Sequence, residues 1–512
     1  MPTTDDRQPP ARFNAARYCL ADNARLRGDK TALIMVGENG PVGRLTYAQA
    51  DRAVRGIAAG LLGLGLTAGD RVMIRMGNET DYVLVYFGAL AAGLVALPSS
   101  PQLTADEAAF LMQNAGVAAV VTGEGFSDAG AGGPTDCIRL DSEAIAAMKA
   151  GEPLADYADT AADDPATLVY TSGTTSRPKG VLHAHRAIWG RRPMHAHWLG
   201  LTESDVMLHA GTMNWTYTLG VGITDPWACG ATTVLYNGPR DRGIWPRLIA
   251  EHGATIFAAV PSVYRQILKY ADLAEYDLSR LRHGVTAGEA LSSDLHGAWT
   301  TATGKPLYEA LGMSEISTYV SSGPTIPVRP GSPGRPQPGR RVAILPAEGP
   351  PDPLPTGETG LLAIHRTDPG LMLGYWQRPE EEAAVMRGEW FAGGDLARLD
   401  ADGYRLFHGR NDDLMNAMGY RVSPVEVESV LAGHPDIAEV GVTELAVRAD
   451  LRVIAAFVVL RPGAEPDADG LIAWCGDRLA TYKAPRAIRF LDALPRTANG
   501  KVQRKRLAET VA

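Results

Sequence analysis

The chain has 512 residues, and its 49 lysine and arginine residues against 58 aspartate and glutamate residues give a formal net charge of −9. Hydrophobic residues make up 45% and charged residues 21% of the sequence, a composition typical of a folded globular protein that excludes a wholly disordered chain. The acidic balance provides no overall attraction to nucleic acid or to an anionic membrane, and the length allows one large domain with a smaller one.

The N-terminus and the cysteines both indicate a protein of a reducing compartment. The first twelve residues, MPTTDDRQPPAR, have an acidic pair and prolines where a signal peptide needs a basic start and an apolar core. The four cysteines are scattered and form no C-x-x-C pair, which favours neither a disulfide framework nor a zinc site. The uncharged stretch 82–97 is shorter than the about 18–20 residues that cross a bilayer, and we expect a buried helix followed by a buried strand. The sequence predicts a cytoplasmic protein with no membrane span and no nucleic-acid partner.

The first 320 residues alternate short β-branched runs with longer helical patterns. Strand patterns occur at 71–76, 117–122 and 255–260, and helical patterns follow the first and the last of them. Strands that alternate with helices form βαβ units, in which parallel sheets are covered by helices. The sequence therefore predicts an α/β fold, with a large N-terminal domain of mixed or parallel sheets flanked by helices.

Two shifts in composition divide the rest of the chain. Eleven of the 35 prolines lie between Gly323 and Gly357, which favours loops and short edge strands and predicts a small β-subdomain at about 323–410. After Arg410 the sequence is polar and then helical, and Ser423, Pro424 and Glu426 form a pattern typical of a capping box with proline in the first turn. We expect an N-terminal domain at 1–411 and a small, mobile α+β domain at 412–512.

The most distinctive local sequence is Tyr170-Thr-Ser-Gly-Thr-Thr-Ser-Arg-Pro-Lys-Gly180, which lies between two strand patterns. Hydroxyl groups, backbone N–H groups and the charge of Lys179 suit a loop that wraps phosphate oxygens. The sequence does not fit the Walker A pattern, because Lys179 follows a proline and precedes a glycine. A polar surface hairpin is the alternative interpretation of such a loop considered alone.

This loop resembles the phosphate loop of the adenylate-forming superfamily, which includes acyl-CoA synthetases, nonribosomal adenylation domains and firefly-type luciferases. The resemblance covers nearly the whole chain, and five further motifs follow in the family's order. They are Thr286-Ala-Gly-Glu-Ala290, Leu311-Gly-Met-Ser-Glu315, Gly394-Asp395 with Tyr404-x-x-Phe407-x-Gly-Arg410, Asn411-Asp412-Asp413, and Pro495-Arg-Thr-Ala-Asn-Gly-Lys501. Two positions depart from the family pattern: Ser176 replaces a common glycine, and Leu311 stands where many relatives have an aromatic residue that stacks on adenine.

The resemblance implies roles for individual residues. Lys501, Lys179 and Glu315 would be catalytic, Glu315 would hold Mg²⁺, Asp395 would bind both ribose hydroxyls, and Asp412 would be the hinge. Gly419, Tyr420 and Arg421 would line the coenzyme A tunnel. The full set implied to bind ATP or AMP is Thr171, Ser172, Gly173, Thr174, Thr175, Lys179, Gly288, Glu289, Ala290, Leu311, Gly312, Met313, Ser314, Asp395, Phe407, Arg410 and Lys501.

The implied activity is that of an acid–CoA ligase that uses ATP, Mg²⁺ and coenzyme A. A carboxylate attacks the α-phosphate of ATP to give an acyl-adenylate, and the coenzyme A thiol then displaces AMP. Positioning and cationic stabilisation of the phosphoryl oxygens would provide most of the catalysis. Lys501 would reach the nucleotide in one orientation of the small domain, and rotation about Asp412 would replace it with Gly419–Arg421. Taken alone, Lys501 could instead belong to a solvated basic tail with Arg504, Lys505 and Arg506.

The family's acyl pocket corresponds to a segment at 209–220 that is rich in aromatic residues and has no carboxylate before Asp225. An amino-acid substrate would bury an ammonium group without a partner, which is costly. An aromatic, alicyclic or short aliphatic acid is favoured, with the benzoate type of CoA ligase as the most similar branch. Some of these rings could equally belong to the core. The predicted pocket residues are Met213, Trp215, Tyr217, Gly220, Gly288 and Met313.

Several alternatives remain open at the level of sequence. The same scaffold could load a carrier protein, act as a luciferase-like oxygenase, or bind nucleotide without catalysis. Four histidines between His183 and His197 could suggest a metal site, but no carboxylate or thiolate residue that could share a metal lies among them in the sequence. The G-x-G-x-x-A sequence at 63–68 ends a helical pattern and is better explained as a helix stop than as a dinucleotide site. The acid is not specified by sequence, and the chain is expected to be a monomer or a homodimer.

Overall fold

A computed structural model describes residues 8–123, 126, 133–171, 178–239, 243–410, 415–417, 420–448, 451–479, 483–496 and 502–509. The chain forms two compact units. Unit 1 comprises Met1–Arg341 and His365–Glu389, and unit 2 comprises Val342–Ile364 and Trp390–Ala512.

The α/β fold is confirmed, and strands alternate with helices through most of unit 1. The strands are β1 (Thr31–Gly37), β2 (Gly40–Thr46), β3 (Arg71–Arg75), β4 (Val95–Pro98), β5 (Val117–Thr122), β6 (Ile138–Leu140), β7 (Pro165–Thr171), β8 (Lys179–Ala184), β9 (Val206–His209), β10 (Thr232–Tyr236), β11 (Ile256–Ala258), β12 (His283–Ala287), β13 (Leu307–Met313), β14 (Ser317–Ser321), β15 (Arg335–Pro336), β16 (Val342–Leu345), β17 (Gly360–His365), β18 (Gly374–Tyr375), β19 (Met386–Arg387), β20 (Trp390–Leu399), β21 (Arg405–Arg410), β22 (Met415–Ala417), β23 (Tyr420–Val422), β24 (Ile437–Arg448), β25 (Leu451–Leu460) and β26 (Ala487–Phe490).

The helices follow the same chain order. They are α1 (Ala15–Arg27), α2 (Tyr47–Gly63), α3 (Thr80–Ala91), α4 (Ala105–Ala115), α5 (Ser142–Ala150), α6 (Arg186–Trp189), α7 (Arg192–Met194), α8 (Asp225–Cys229), α9 (Ile244–His252), α10 (Pro261–Tyr270), α11 (Ser293–Thr303), α12 (Pro379–Val385), α13 (Pro424–Ala432), α14 (Ala468–Gly476) and α15 (Arg504–Glu509). Short π-helical stretches occur at His195–Leu199 and Thr218–Thr224, and a 3₁₀ turn occurs at Leu273–Glu275.

Unit 1 contains two mixed sheets. The nine-stranded sheet has the order β15-β14-β13-β12-β11-β9-β10-β1-β2, and its six inner strands from β13 to β1 are parallel. The seven-stranded sheet has the order β18-β8-β7-β4-β3-β5-β6, with β8 and β18 antiparallel to their neighbours. The strand predictions at 71–76 and 117–122 are confirmed, and the strand predicted at 255–260 is confined to β11.

The uncharged stretch 82–97 packs inside unit 1. Every residue of α3 from Tyr82 to Ala91 is buried, and the buried strand β4 follows. A helix with no solvent-facing stripe needs no polar face, which explains the lack of charge in this stretch. Across the described part of the chain, no helix combines the length and the apolar character needed to span a membrane.

Unit 2 is built from antiparallel strands and a small α+β module. The strands β16, β17, β20 and β21 are neighbours in that order, and β24-β25-β26 form a second sheet. The helix predicted after Arg410 begins at Pro424, but Ser423 provides no side-chain cap hydrogen bond, so the predicted capping box is wrong. The physical reason lies with Glu426, because its Oε1 accepts a hydrogen bond from Lys483 Nζ at 2.6 Å. The four cysteines are free.

Candidate active site

A charged cluster in unit 1 joins Lys179, Glu315 and Tyr375. Lys179 Nζ lies 3.9 Å from Glu315 Oε1 and 3.9 Å from the centroid of the Tyr375 ring. The Tyr375 hydroxyl donates a hydrogen bond of 2.7 Å to Glu315 Oε1. The Lys179 and Glu315 side chains are 20% and 13% exposed. An amine, a carboxylate and a phenol held together in this way form a partly desolvated polar centre suited to a charged ligand.

The order of the strands explains why these residues meet. Lys179 is the first residue of β8 and lies opposite Thr171, the last residue of β7, while Tyr375 in β18 lies opposite Val181. The predicted phosphate-loop residues Ser172, Gly173, Thr174 and Thr175 lie outside the described residues, but the strand ends on both sides of them are paired. The pairing of β8 with β7 and β18 therefore places Lys179 and Tyr375 close together.

The Ser314–Glu315 turn between β13 and β14 is held from two sides. His183 Nε2–H donates a hydrogen bond of 2.7 Å to the Ser314 carbonyl oxygen, and Met372 N donates one of 2.8 Å to the Glu315 carbonyl oxygen. Arg186 Nη1 donates hydrogen bonds of 2.8 Å to the carbonyl oxygens of Pro369 and Leu371. These bonds fix the turn to β8 and to the segment that carries Tyr375.

The segment predicted to line adenine follows β12. Gly288 has φ of +94°, and a Cβ atom there would lie 3.1 Å from two carbon atoms of the Trp215 indole. A non-glycine residue would be strained at this φ, and the indole occupies the space beside it. The neighbouring Glu289 lies 3.5 Å from Arg265 Nη2, and Leu311 and Gly312 lie at a register shift between β13 and β14.

A largely apolar cavity lies within unit 1 beside this turn. It has an empty volume of about 630 Å³, open solvent at its mouth included. The described residues on both sides of Glu315 line it, namely Met313, Ser314, Ile316 and Ser317. Of the predicted acyl-pocket residues, Gly220 and Met313 are on its wall. Met213 and Tyr217 are buried in the core, where the Tyr217 ring packs on Trp215 and Trp198, and Trp215 packs on Gly288.

The sequence did not predict the one arginine among the described residues that line this cavity. Arg191 donates from Nε and Nη2 to the two carboxylate oxygens of Asp225, each at 2.7 Å, and from Nη1 to Ser317 Oγ. Asp225 also lies 3.1 Å from His195 Nε2, and His195 Nδ1 lies 3.3 Å from Cys229 Sγ. Asp225, the first carboxylate after the predicted pocket segment, is therefore already paired with cationic side chains.

The surroundings of two histidines of this region shift their pKa values in opposite directions. Desolvation lowers the pKa of His183 to about 4, so its imidazole is neutral at pH 7. Desolvation also lowers the pKa of His195, but hydrogen bonds to Asp225 and Cys229 outweigh it and raise the pKa to about 9. His195 is therefore charged at pH 7, and it shares the Asp225 carboxylate with Arg191.

The predicted ribose-binding pair lies in unit 2. In the antiparallel pairing of β20 with β21, Asp395 is directly opposite Arg410, and Phe407 is opposite Ala397. The side chains of Phe407 and Arg410 lie outside the described part. Asp395 is buried, and Arg405 Nη2 lies 3.8 Å from its Oδ2. Arg405 was not predicted, because a charged residue in a strand gives no sign that it is fully buried.

The other predicted residues of unit 2 are only partly described. Asp412, Gly419 and Lys501 lie outside the described residues, and Tyr420 and Arg421 are in β23, paired with Ala417 and Asn416. The described residues on either side of 497–501 are fixed, since Arg496 and Val502 form an antiparallel bridge. Arg504 binds both carboxylate oxygens of Glu428, at 2.9 and 2.7 Å, so this residue is not part of a solvated basic tail.

The donor set around Glu315 fits a magnesium ion that is shared with substrate. Mg²⁺ is usually held by one or two carboxylates together with substrate phosphates and water, rather than by an all-protein cage. Glu315 supplies one carboxylate beside Lys179 and Tyr375, and no group of three or more His, Cys, Asp or Glu side chains suited to a metal occurs among the described residues. His185, from the histidine cluster, accepts a hydrogen bond of 3.1 Å from Ala15 N.

Comparisons with known proteins agree with this arrangement. The family model "AMP-binding enzyme" matches residues 20–376, and the model for the C-terminal domain of AMP-binding enzymes matches residues 426–501. The benzoate–CoA ligase of Thauera aromatica is 32% identical, over 97% of this chain and 96% of that protein. The uncharacterized acyl–CoA ligase YtcI of Bacillus subtilis is 31% identical, over 94% of this chain and 93% of that protein. The solved structure of an anthranilate–CoA ligase in complex with anthranoyl-AMP has a TM-score of 0.89 and 30% identity, and covers 100% of this chain and 99% of that one.

Proposed function

Because this chain belongs to the AMP-forming acid–CoA ligase family of AMP-binding enzymes, we propose that it converts an aromatic, alicyclic or short aliphatic acid into its coenzyme A thioester. The reaction uses ATP, passes through an acyl-adenylate, and releases pyrophosphate and AMP. One observation carries the proposal. The Lys179–Glu315–Tyr375 cluster adjoins an apolar cavity through the turn at 313–317, so a site for charged phosphate and a site for an acyl group share one wall.

In the first half-reaction the acid's carboxylate attacks the α-phosphate and pyrophosphate leaves. Lys179 and Lys501 stabilise the negative charge that develops on the phosphoryl oxygens, which is the main requirement of phosphoryl transfer. Glu315 would hold Mg²⁺, which would neutralise phosphate charge when bound. Tyr375 orients the Glu315 carboxylate, and Ser314 contacts the phosphate.

The nucleotide is held by several segments of the chain. The loop 171–175 wraps the phosphates, Gly288–Ala290 and Leu311–Met313 line the adenine, and Asp395, Phe407 and Arg410 bind the ribose side. The buried position of Asp395, and its place opposite Arg410, support this assignment. With leucine at position 311, adenine is held by apolar packing rather than by ring stacking.

In the second half-reaction the coenzyme A thiol attacks the carbonyl carbon of the acyl-adenylate and AMP leaves. We propose that rotation of residues 412–512 about Asp412 withdraws Lys501 and brings Gly419, Tyr420 and Arg421 to the pantetheine arm. Such an alternation lets two chemistries use one site in turn. The matches of separate family models to 20–376 and 426–501 support a boundary between them.

The cavity and the relatives support the proposed class of acid. Apolar side chains such as Ile188 and Leu219 provide much of the cavity wall, and Tyr86 closes part of it. The relatives named for benzoate and anthranilate act on compact aromatic acids. We therefore expect the preferred substrate to be a compact acid.

The test is a panel of carboxylates with ATP, Mg²⁺ and coenzyme A, in which pyrophosphate, AMP and thioester are all measured. The panel contains benzoates, cinnamates, cyclohexanecarboxylate and aliphatic acids of two to eight carbons. We expect stoichiometric AMP and thioester with at least one compact acid. Acid-dependent pyrophosphate release without thioester would favour loading of a carrier protein, and no acid-dependent pyrophosphate release would favour a non-catalytic nucleotide-binding relative.

A further inference from the structure

The cavity of unit 1 contains a cationic group that an unsubstituted hydrocarbon acid would leave unused. Arg191 lies on its wall, only 10% of its side chain is exposed, and its partner Asp225 is fully buried. A guanidinium has five N–H groups, and three of those of Arg191 donate to Asp225 and Ser317. Within the described residues, the remaining two N–H groups, one on Nη1 and one on Nη2, make no hydrogen bond to the protein.

Two side chains, those of Asp225 and Ser317, hold the guanidinium in place. Asp225 holds it at two oxygens, and Ser317 accepts from Nη1 while its own hydroxyl donates to Met194 Sδ at 3.8 Å. Ser317 has φ of +72°, a conformation that a non-glycine residue adopts at a cost and that clusters at functional sites. Such anchoring fixes the remaining donors in space and reduces the entropy lost when a ligand binds them.

The absence of a side chain at Gly220 makes space for the Arg191 guanidinium at the cavity wall. A Cβ atom at Gly220 would lie 2.3 Å from Arg191 Nη2 and 2.8 Å from Nη1. Gly220 belongs to the π-helical stretch 218–224, and π-helical turns occur frequently at functional sites. The position of the Arg191 guanidinium is therefore fixed by Gly220, Ser317 and Asp225 together.

The charges next to the cavity sum to a positive value. Arg191 and Asp225 form a neutral pair, and His195, which shares the carboxylate of Asp225, carries a second positive charge at pH 7. On the same cavity wall His183 donates from Nε2 to Ser314, and its Nδ1 is buried without a partner in the described part of the chain. An oxygen acceptor on the acyl group would accept hydrogen bonds from the two remaining N–H groups of Arg191. The net positive charge beside the cavity would strengthen these bonds.

We propose that Arg191 is a specificity-determining residue, and that the acid carries a second oxygen acceptor (a hydroxyl, keto or carboxylate group) which binds its two remaining N–H groups. The proposal rests on the proposed acid–CoA ligase function. The carboxylate that reacts is placed by the phosphate side of the site, through Ser314 and Lys179, so Arg191 contacts the acyl portion. A site built to hydrogen-bond a substrate oxygen discriminates strongly against the analogue that lacks it.

The test compares matched pairs of acids in acid-dependent pyrophosphate release by the full chain. The pairs are 3- and 4-hydroxybenzoate against benzoate, 4-oxocyclohexanecarboxylate against cyclohexanecarboxylate, and 4-oxopentanoate and glutarate against pentanoate. In at least one pair we expect kcat/KM to favour the oxygen-bearing acid by about tenfold or more, the range of a hydrogen bond to a charged group. The pair that responds distinguishes hydroxyl, keto and carboxylate acceptors.

The variant Arg191→Met should reduce this preference by about tenfold or more while activity with the hydrocarbon acid persists. Because Arg191→Met leaves Asp225 buried beside His195 alone, the double variant R191M/D225N provides a second measurement without the uncompensated carboxylate. The control is Arg55→Met, which breaks a partly buried Arg55–Asp51 pair on α2, away from the residues that line the cavity. The control should leave the preference unchanged.

Three outcomes would overturn the inference: preference of the wild-type chain for the hydrocarbon acid in every pair, equal preferences in the wild type and in the Arg191 variants, or equal losses for both acids of a pair. The last outcome would assign Arg191 to the reacting carboxylate instead. Failure of the proposed function gives a different result, because no acid would then support pyrophosphate release in the wild type.

Discussion

At the scale of single residues, Tyr375 is a positioning residue that sequence reasoning missed. It lies 60 residues from Glu315 and was not part of any motif recognised in the sequence, yet its hydroxyl bonds to the Glu315 carboxylate and its ring faces Lys179. A hydrogen bond to a charged group contributes about 1.5–3 kcal/mol. Tyr375 thus links the two charged residues that the family motifs identify.

We expect Tyr375→Phe to lower kcat/KM for acid-dependent ATP–pyrophosphate exchange by about tenfold and to raise the Mg²⁺ concentration needed for half-maximal rate. The ring that faces Lys179 is retained, so the change isolates the bond to Glu315. A titration of Mg²⁺ at fixed ATP measures both effects. Tyr264→Phe is the control, because the Tyr264 hydroxyl is buried and its hydrogen bonds within the described part of the chain are to backbone oxygens of Phe257 and Val285. An unchanged Mg²⁺ dependence in Tyr375→Phe would contradict the role.

The residues that could be predicted are those that belong to contiguous motifs. Lys179 and Glu315 were predicted because each lies inside a short, characteristic run, and the structure brings them to 3.9 Å. Arg191, Tyr375 and Arg405 were not predicted, because each acts through a partner that is distant in sequence or in a different strand. A lone arginine in a sequence carries no sign of whether it faces solvent or a buried carboxylate.

At the scale of elements, the register of β20 with β21 places Asp395 opposite Arg410. Two motifs that are about ten residues apart in sequence become neighbours because a tight turn joins the strands. In that turn the Asp400 side chain accepts hydrogen bonds of 3.0 Å from Asp402 N and 2.8 Å from Tyr404 N. Sequence reasoning predicted the pair from family motifs but not its cause.

If Asp395 binds both ribose hydroxyls, Asp395→Ala should lower kcat/KM for ATP by about tenfold or more, with little further loss for 2′-deoxy-ATP or 3′-deoxy-ATP. The wild-type chain should discriminate against both analogues. The measurement is pyrophosphate exchange with the three nucleotides, and Asp400→Ala is the control for damage to the hairpin alone. Full discrimination against the deoxy nucleotides by Asp395→Ala would show that the carboxylate does not contact the ribose.

Element type was more predictable than element ends or caps. Helix α3, strand β4 and the pair β24 and β25 follow from hydrophobic pattern, because burial on one or both faces dictates the spacing of apolar residues. The capping box at Ser423 failed because Glu426 found a tertiary partner in Lys483. Local rules cannot anticipate such competition from a residue that is 57 positions away.

At the scale of the whole molecule, several buried histidines make acid a destabilising condition. Burial lowers the pKa of His209 to about 3, and both of its ring nitrogens lack partners within the described residues. In the unfolded chain the imidazole of residue 209 binds a proton with a pKa near 6.5, whereas in the native state it stays unprotonated until a much lower pH. The stability that results is present above about pH 6.5 and is lost as the pH falls toward the folded-state pKa.

We therefore expect His209→Leu to flatten the pH dependence of the free energy of unfolding by about 2 kcal/mol between pH 7 and pH 5. Denaturant unfolding at a series of pH values measures this. The variant His209→Gln separates the effect of titration from that of packing. It should reduce the pH dependence by the same amount as His209→Leu, although the free energy of unfolding at pH 7 differs between the two variants. A slope identical to that of the wild type in both variants would exclude His209 as a contributor.

The alternation of two half-reactions is the claim on which the proposed function depends. The most direct measurement uses Lys501→Ala and follows two rates: acid-dependent ATP–pyrophosphate exchange, and thioester formation from a supplied acyl-adenylate and coenzyme A. We predict that exchange falls by about 10²-fold or more, because one cation at the phosphoryl group is lost, while thioester formation is largely retained. Equal loss of both rates, or retention of both, would contradict the account.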